Sequence, residues 1–469
     1  MEKGSVQKRR IMNKRELALI VWNIGLVLMT LGTDNLTLLS YISLIQLISG
    51  VLLFYFHGIK LISIQVCFFL ISYFFHMFRI VYCYIITDGQ YKLEFWVNSD
   101  SIVAQGCKLY IVAAFFFILG IVSTNRSYRL HTLKREISDD SLCQIGWIFL
   151  LIGIGPRVAI DIEKIKISMV GGYLASYEVS LAGRGTIATF AYTGVLFLLL
   201  AKRKQLFFCR VLALIAILYE GVVMLSGNRF IHISIILCII YVYCRYVEQF
   251  KIKNILLIGV LGTLFITYMD AVREIRLDGI HLSTLSDVFR KQLLDNPIVD
   301  MLLEMGGTMN TVLLSIENFP SYAPYGMGRT YLYFIPNLIP KIHWGFDYRY
   351  LTYVYQFPAY ESLGGSYLGE LYYNFGAYSV FFTYLIGKAL SVMDKKMSGE
   401  NRRAIYATAY YLPVILYMLT YIRGYFEAFR IPIYHIIAFL ILKELMGNVN
   451  VRVICSRGRR WKSYIIQGK

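Results

Sequence analysis

Residues 1–270 form a nearly unbroken series of apolar stretches, and this restricts the chain to one class of fold. Leu17–Leu31, Leu38–Phe56, Leu109–Val122, Thr186–Ala201, Val211–Leu225, Ile231–Val247, Ile255–Met269 and Ile405–Tyr421 each approach the ~20 residues needed to cross ~30 Å of hydrocarbon. Ile59–Cys83, Cys143–Ile160, Tyr367–Met393 and Ile431–Leu445 bring the expected total to about 12 helices. With 57% hydrophobic and 16% charged residues among 469, the chain is too apolar for a soluble domain. The expected fold is an all-α polytopic membrane protein, built as a single integral membrane domain over residues 1–469.

Orientation follows from the distribution of Lys and Arg over the short connections. Lys8, Arg9, Arg10, Lys14 and Arg15 share a side with 126–135, 202–204, 251–253, 395–403 and the tail 452–462, whereas Thr33–Asn35 and Thr87–Gln105 are poor in positive charge. Both termini are therefore expected in the cytoplasm, with the segment 271–365 outside, between helices 9 and 10. The net charge of +18 is mainly this one-sided bias, which also attracts anionic headgroups. Split among many short loops, the basic residues make no nucleic-acid-binding patch.

The first span lacks a small-residue cleavage site and is followed by many others, so it reads as a retained helix rather than a signal peptide. Of the eight cysteines, Cys67, Cys143, Cys209, Cys238 and Cys244 lie within spans and Cys455 in the tail, leaving Cys83 and Cys107 as the pair placed to meet outside. The sequence contains no CxxC, HExxH or GxxxxGK[ST], which argues against a zinc hydrolase or a built-in ATPase motor. Asp161 and Glu163 offer two carboxylates without a third ligand in view, so no metal site is expected.

The wetter segment 271–365 holds Pro297, Pro320, Pro324, Pro336, Pro340 and Pro358 of the nine prolines. A structureless connection of about 95 residues would be unusual, so function is expected there. Leu282–Leu294 and Ile298–Ile316 read as helices, while 317–363 favours ordered, irregular backbone. At membrane depth such backbone needs protein or a watery cavity to satisfy it.

Arginines on this side run against the charge bias, and each calls for a reason. Arg229 follows the short turn Ser226-Gly227-Asn228, and Arg273 and Arg276 leave the ninth span three residues apart. Arg329 ends Tyr325-Gly326-Met327-Gly328-Arg329, where glycines permit close approach of a ligand. Guanidinium forks suit phosphate oxygens. Snorkelling, or pairing with Asp270, Glu274 and Asp278, is the structural alternative. Further on, Gly364-Gly365-Ser366 leads to Glu370 and to Asn374-Phe375-Gly376. A carboxyl about one turn inside a span is costly unless it faces a polar cavity or neutralises an arginine.

Taken in order, these features resemble the Wzy-type polysaccharide repeat-unit polymerases, also called O-antigen or oligosaccharide repeat unit polymerases. They are the Ser-Gly-Asn-Arg turn, the arginine-rich exit, the run Tyr325–Tyr331 with Ile335-Pro336-Asn337-Leu338-Ile339-Pro340, and the stretch Gly364–Gly376. The resemblance covers topology along most of the chain, with its distinctive motifs between Ser226 and Gly376. It implies a bacterial cytoplasmic-membrane glycosyltransferase of GT-C-like architecture, acting at the outer face without nucleotide sugar, cofactor or metal. Its substrates would be oligosaccharides on undecaprenyl pyrophosphate, and its partners membrane lipids, a chain-length regulator and the flippase of the same pathway.

That reaction needs cations for the departing pyrophosphate, a base for the attacking hydroxyl, and lateral access for two polyprenyl tails. Arg229, Arg273, Arg276 and Arg329 fit the first role; Glu370, His281 and His343 are candidates for the second. Tyr322, Tyr325, Tyr331, Tyr333, Trp344, Tyr348, Tyr350, Tyr353 and Tyr355 are placed for sugar stacking or, for most of them, an interfacial belt. An O-antigen ligase uses the same donor with a different acceptor and stays close as an alternative. A flippase or transporter would show two related halves, which are not seen here. The stretch Gly364–Gly376 is the main reason to choose polymerase over ligase.

Overall fold

The computed structural model describes residues 13–90, 95, 97, 99–124, 136–175, 184–226, 229–248, 282–292, 297–339, 364–399 and 401–446, with single positions between 262 and 275. No strand occurs among them. Among the described residues, eight helices are long and apolar enough to cross a membrane, or nine if the bent pair Ile64–His76 and Phe78–Ile86 counts as one span. Helices also occupy Lys14–Leu31 and 430–446, at the first and last expected spans. The expected ninth span, Ile255–Met269, lies largely outside the described residues.

The helix starts are written locally. Asn13 and Glu16 form a reciprocal capping box, and the Asn35 and Asn401 side chains accept from Leu38 N and Ala404 N. Packing then depends on glycine. A Cβ on Gly120 would overlap the Tyr384 carbonyl, and one on Gly387 the Phe117 carbonyl, so Asp100–Ser123 and Ser379–Met397 touch backbone to backbone. Gly153 and Gly194 do the same for Asp139–Ala175 and Phe190–Ala201. Between apolar helices, such close approach supplies the dispersion contact that a hydrophobic driving force supplies in water.

Several expectations are refined. The helix expected over Leu282–Leu294 is present over Leu282–Gln292, with Leu293 and Leu294 outside the described residues, and the single helix Ile298–Ile316 is two, Pro297–Gly306 and Met309–Asn318. The break has a packing reason: a Cβ on Gly306 would meet Arg79 N at 2.8 Å, while Arg79 Nε donates to Leu303 O at 3.1 Å. The first of these helices therefore rests on the bent span. The second is buried, and Met309, Val312 and Leu313 belong to the same apolar core as Phe68, Cys107 and Leu412. Cys83 and Cys107, the two cysteines that sequence position leaves free to meet outside, are both buried free thiols. Asp161 and Glu163 face different partners, Arg157 and Arg184.

Candidate functional site

The stretch Gly364–Gly376 returns the chain to the helical bundle and meets two other segments, Tyr325–Tyr331 and the turn 421–429. Glycines set the approach. A Cβ on Gly365 would lie 2.8 Å from Gly424 C, and one on Gly364 3.0 Å from Arg423 Nε. A Cβ on Gly326 would lie 2.5 Å from the Tyr373 ring. Backbone bonds lock this contact, with Gly326 N donating to Tyr373 O at 2.8 Å and Met327 N to Asn374 O at 3.0 Å. Gly328, at φ +82°, adopts the left-handed conformation that starts the short helix Arg329–Tyr333.

Glu370 sits at the centre of this junction, 1% exposed. Its Oε2 accepts from Phe426 N at 2.8 Å, and the hydroxyls of Thr330 and Tyr421 also reach the carboxyl. Asn374 Nδ2 donates to Thr330 Oγ1 at 2.8 Å, while Asn374 Oδ1 is buried without a partner among the described residues. Among the described residues, Glu370 is thus held by a backbone N–H and hydroxyls rather than by an arginine. The adjacent Arg329 is exposed.

The N-terminus of the Glu370 helix is clamped from the bent span. Ser366 Oγ accepts from Gly369 N, and His76 Nε2 lies 2.9 Å from Ser366 Oγ. His76 Nδ1 lies 2.8 Å from Ser72 O, a pure acceptor, so the neutral ring carries its proton there and Nε2 accepts from Ser366. Ser72 Oγ lies 3.0 Å from the Tyr367 hydroxyl.

Glu370→Ala should leave the Phe426 N–H without its acceptor and lower stability by about 1–3 kcal/mol. Glu370→Gln keeps an acceptor and should retain most of that stability. Thermal unfolding of the detergent-solubilised variants separates the two.

Of the residues singled out in the sequence, Glu370 and Arg329 come together through Thr330. Arg229 begins the helix Arg229–Val242, and its neighbour Phe230 packs against Phe75 with ring centroids 5.4 Å apart. Arg273, Arg276, His281 and His343 lie outside the described residues. Sequence reasoning missed Arg423, whose guanidinium lies 5.8 Å from the Phe230 ring centroid. The signal was present: Arg423-Gly424 leaves a span on the same expected side as the other arginines. It also missed His76, a lone histidine in an apolar span with no motif around it.

These features define a class: an all-helical, polytopic membrane protein with a buried polar junction where a carboxyl-bearing helix re-enters the bundle. A family model described as O-antigen polysaccharide polymerase Wzy matches residues 17–446, nearly the whole chain. The chain belongs to the Wzy O-antigen polysaccharide polymerase family. Membership gives it an O-antigen polymerase role, a glycosyltransferase-like activity in polysaccharide biosynthesis. No curated protein and no solved structure gives a significant match.

Proposed function

We propose that this protein polymerises oligosaccharide repeat units carried on undecaprenyl pyrophosphate, at the outer face of the bacterial cytoplasmic membrane. The observation that carries the reading is the family match over 17–446. The chain spans the membrane about 12 times in a GT-C-like arrangement with both termini inside, as the distribution of Lys and Arg favours. The segment 271–365 belongs to the same membrane domain, a reading supported by the burial of Met309, Val312 and Leu313 in the common core.

The growing chain leaves its carrier for the non-reducing end of a new unit. A new C–O bond forms at the anomeric carbon while the bond to pyrophosphate breaks, its electron pair leaving with the phosphate. Arg229, Arg273, Arg276 and Arg329 stabilise that growing charge, worth ~3–4 kcal/mol per well-placed donor. Glu370, His281 and His343 are the base candidates by residue type and position, and Glu370 also fixes Thr330 beside Arg329. No nucleotide sugar or metal is required; a chain-length regulator and a flippase act with the protein.

Membrane vesicles holding the wild-type protein, supplied with lipid-linked repeat units extracted from a strain lacking the gene, test this. Polymer should form with no nucleotide sugar added. Polymer that appears only when nucleotide sugar is supplied contradicts the reading.

A further inference from the structure

Two ionisable pairs sit where apolar helix stretches end, apart from the Glu370 junction. Arg157 Nε lies 2.5 Å from Asp161 Oδ2, and the Tyr219 hydroxyl donates to the same oxygen at 2.6 Å. Beside them Glu220 Oε2 lies 2.5 Å from His232 Nδ1, with both side chains 3% exposed. The pairs share one electrostatic neighbourhood, since Asp161 interacts with both His232 and Glu220. Arg157 also lies over the Tyr192 ring, 4.8 Å from its centroid.

Stability alone accounts poorly for this arrangement. Desolvating each ion costs several kcal/mol, and well-packed apolar residues of similar volume often do as well or better. Ionisable side chains within membrane helices more often mark a substrate path or a proton-handling site.

The surroundings point to a polar occupant. Arg157, Asp161, Lys164 and Ser168 fall at i, i+4, i+7 and i+11, one stripe along the Asp139–Ala175 helix. At its end Ser168 Oγ donates to Ser226 O at 2.9 Å, three residues before Arg229 in the chain. A polar stripe therefore runs from Ser226 down to the two pairs. Around it, Ser226 Oγ and the Tyr192 hydroxyl are buried and have no hydrogen-bond partner among the described residues. Buried polar atoms left in that state are few in folded proteins and call for an occupant.

His232 is set up as a base. A neutral His232 ring that gives its Nδ1–H to Glu220 carries its lone pair on Nε2. Among the described residues Nε2 makes no hydrogen bond. Glu370, by contrast, already accepts from Phe426 N and two hydroxyls.

We infer that Glu220 and His232, in place of Glu370, His281 or His343, form a general-base dyad whose ligand is the reacting hydroxyl of the acceptor sugar, admitted along the polar stripe below Ser226. This rests on the polymerase reading above. The acceptor O–H gives its proton to His232 Nε2 as its oxygen bonds to the anomeric carbon and pyrophosphate departs with the electron pair. Glu220 stabilises the imidazolium, and Asp161, oriented by Arg157 and Tyr219, adds a second negative charge nearby. The imidazolium then releases its proton to water or to the departed pyrophosphate.

The same vesicle assay tests this with the full-length protein. His232→Gln should lower the transfer rate by roughly 10²-fold or more, the scale of general-base removal, at unchanged abundance. His232→Ala should fall as far, and added imidazole should restore part of the rate by occupying the vacated space. Should the alanine variant fail to accumulate, His232→Gln, which keeps bulk and a donor toward Glu220, decides alone. A His232→Gln rate close to wild type overturns the dyad, as does a normally folded His232→Ala that gains nothing from imidazole. Wild-type vesicles that form no polymer overturn the polymerase reading instead.

Discussion

Gly387→Leu is expected to remove most of the protein from the membrane. A Cβ at this position overlaps the Phe117 carbonyl, and the partner Gly120 has no more room against Tyr384. Side-chain overpacking in a core costs about 1–3 kcal/mol when neighbouring rotamers can adjust. Here the obstacle is backbone on both helices, so the helices themselves must separate. Separation would also break the bond from Thr383 Oγ1 to Ala113 O, 2.7 Å, and that from Lys395 Nζ to Thr124 O, 2.6 Å. Losses on this scale translate into several-fold changes in abundance or more. Gly25→Leu, where nothing lies within 4 Å of the added Cβ, is the control and should accumulate normally. Quantitative immunoblotting of the membrane fraction compares the two.

Arg273→Ala and Arg276→Ala should each abolish polymer while leaving abundance unchanged. The two positions leave an apolar span three residues apart, on the side where positive charge is otherwise scarce. If they hold the departing pyrophosphate, losing one donor costs ~3–4 kcal/mol of transition-state stabilisation, on the order of a hundredfold or more in rate. Lys202→Ala, at a connection on the opposite side, should do little. A glycan ladder of normal length in both arginine variants would remove the pyrophosphate assignment.

Much of the architecture was legible because hydrocarbon imposes a simple rule on a sequence. Stretches such as Leu38–Phe56 and Ile405–Tyr421 had to be helical once their apolar length was seen, and they are. The end of the helix at Gly306 was not legible, because its cause is Arg79, more than 200 residues away in the chain. Within the candidate site, glycines gave the strongest signal. Gly326, Gly364 and Gly365 stood out in the sequence, and each proves to be a point of close approach. His76, Tyr421 and Phe426 were invisible because their contribution lies in what they touch. The pairing of Glu220 with His232 was hidden for the same reason: each is a single polar residue in an apolar span, and only helix packing sets them 2.5 Å apart.

Deleting this gene in its host, then resolving the surface glycan and its lipid-linked precursors by size, tests the central claim most directly. The polymerase account predicts loss of the long-chain ladder, with single repeat units still made and exported. Long chains accumulating on the lipid carrier without transfer would mark a ligase and contradict it, and repeat units trapped on the cytoplasmic face would contradict it in favour of a flippase.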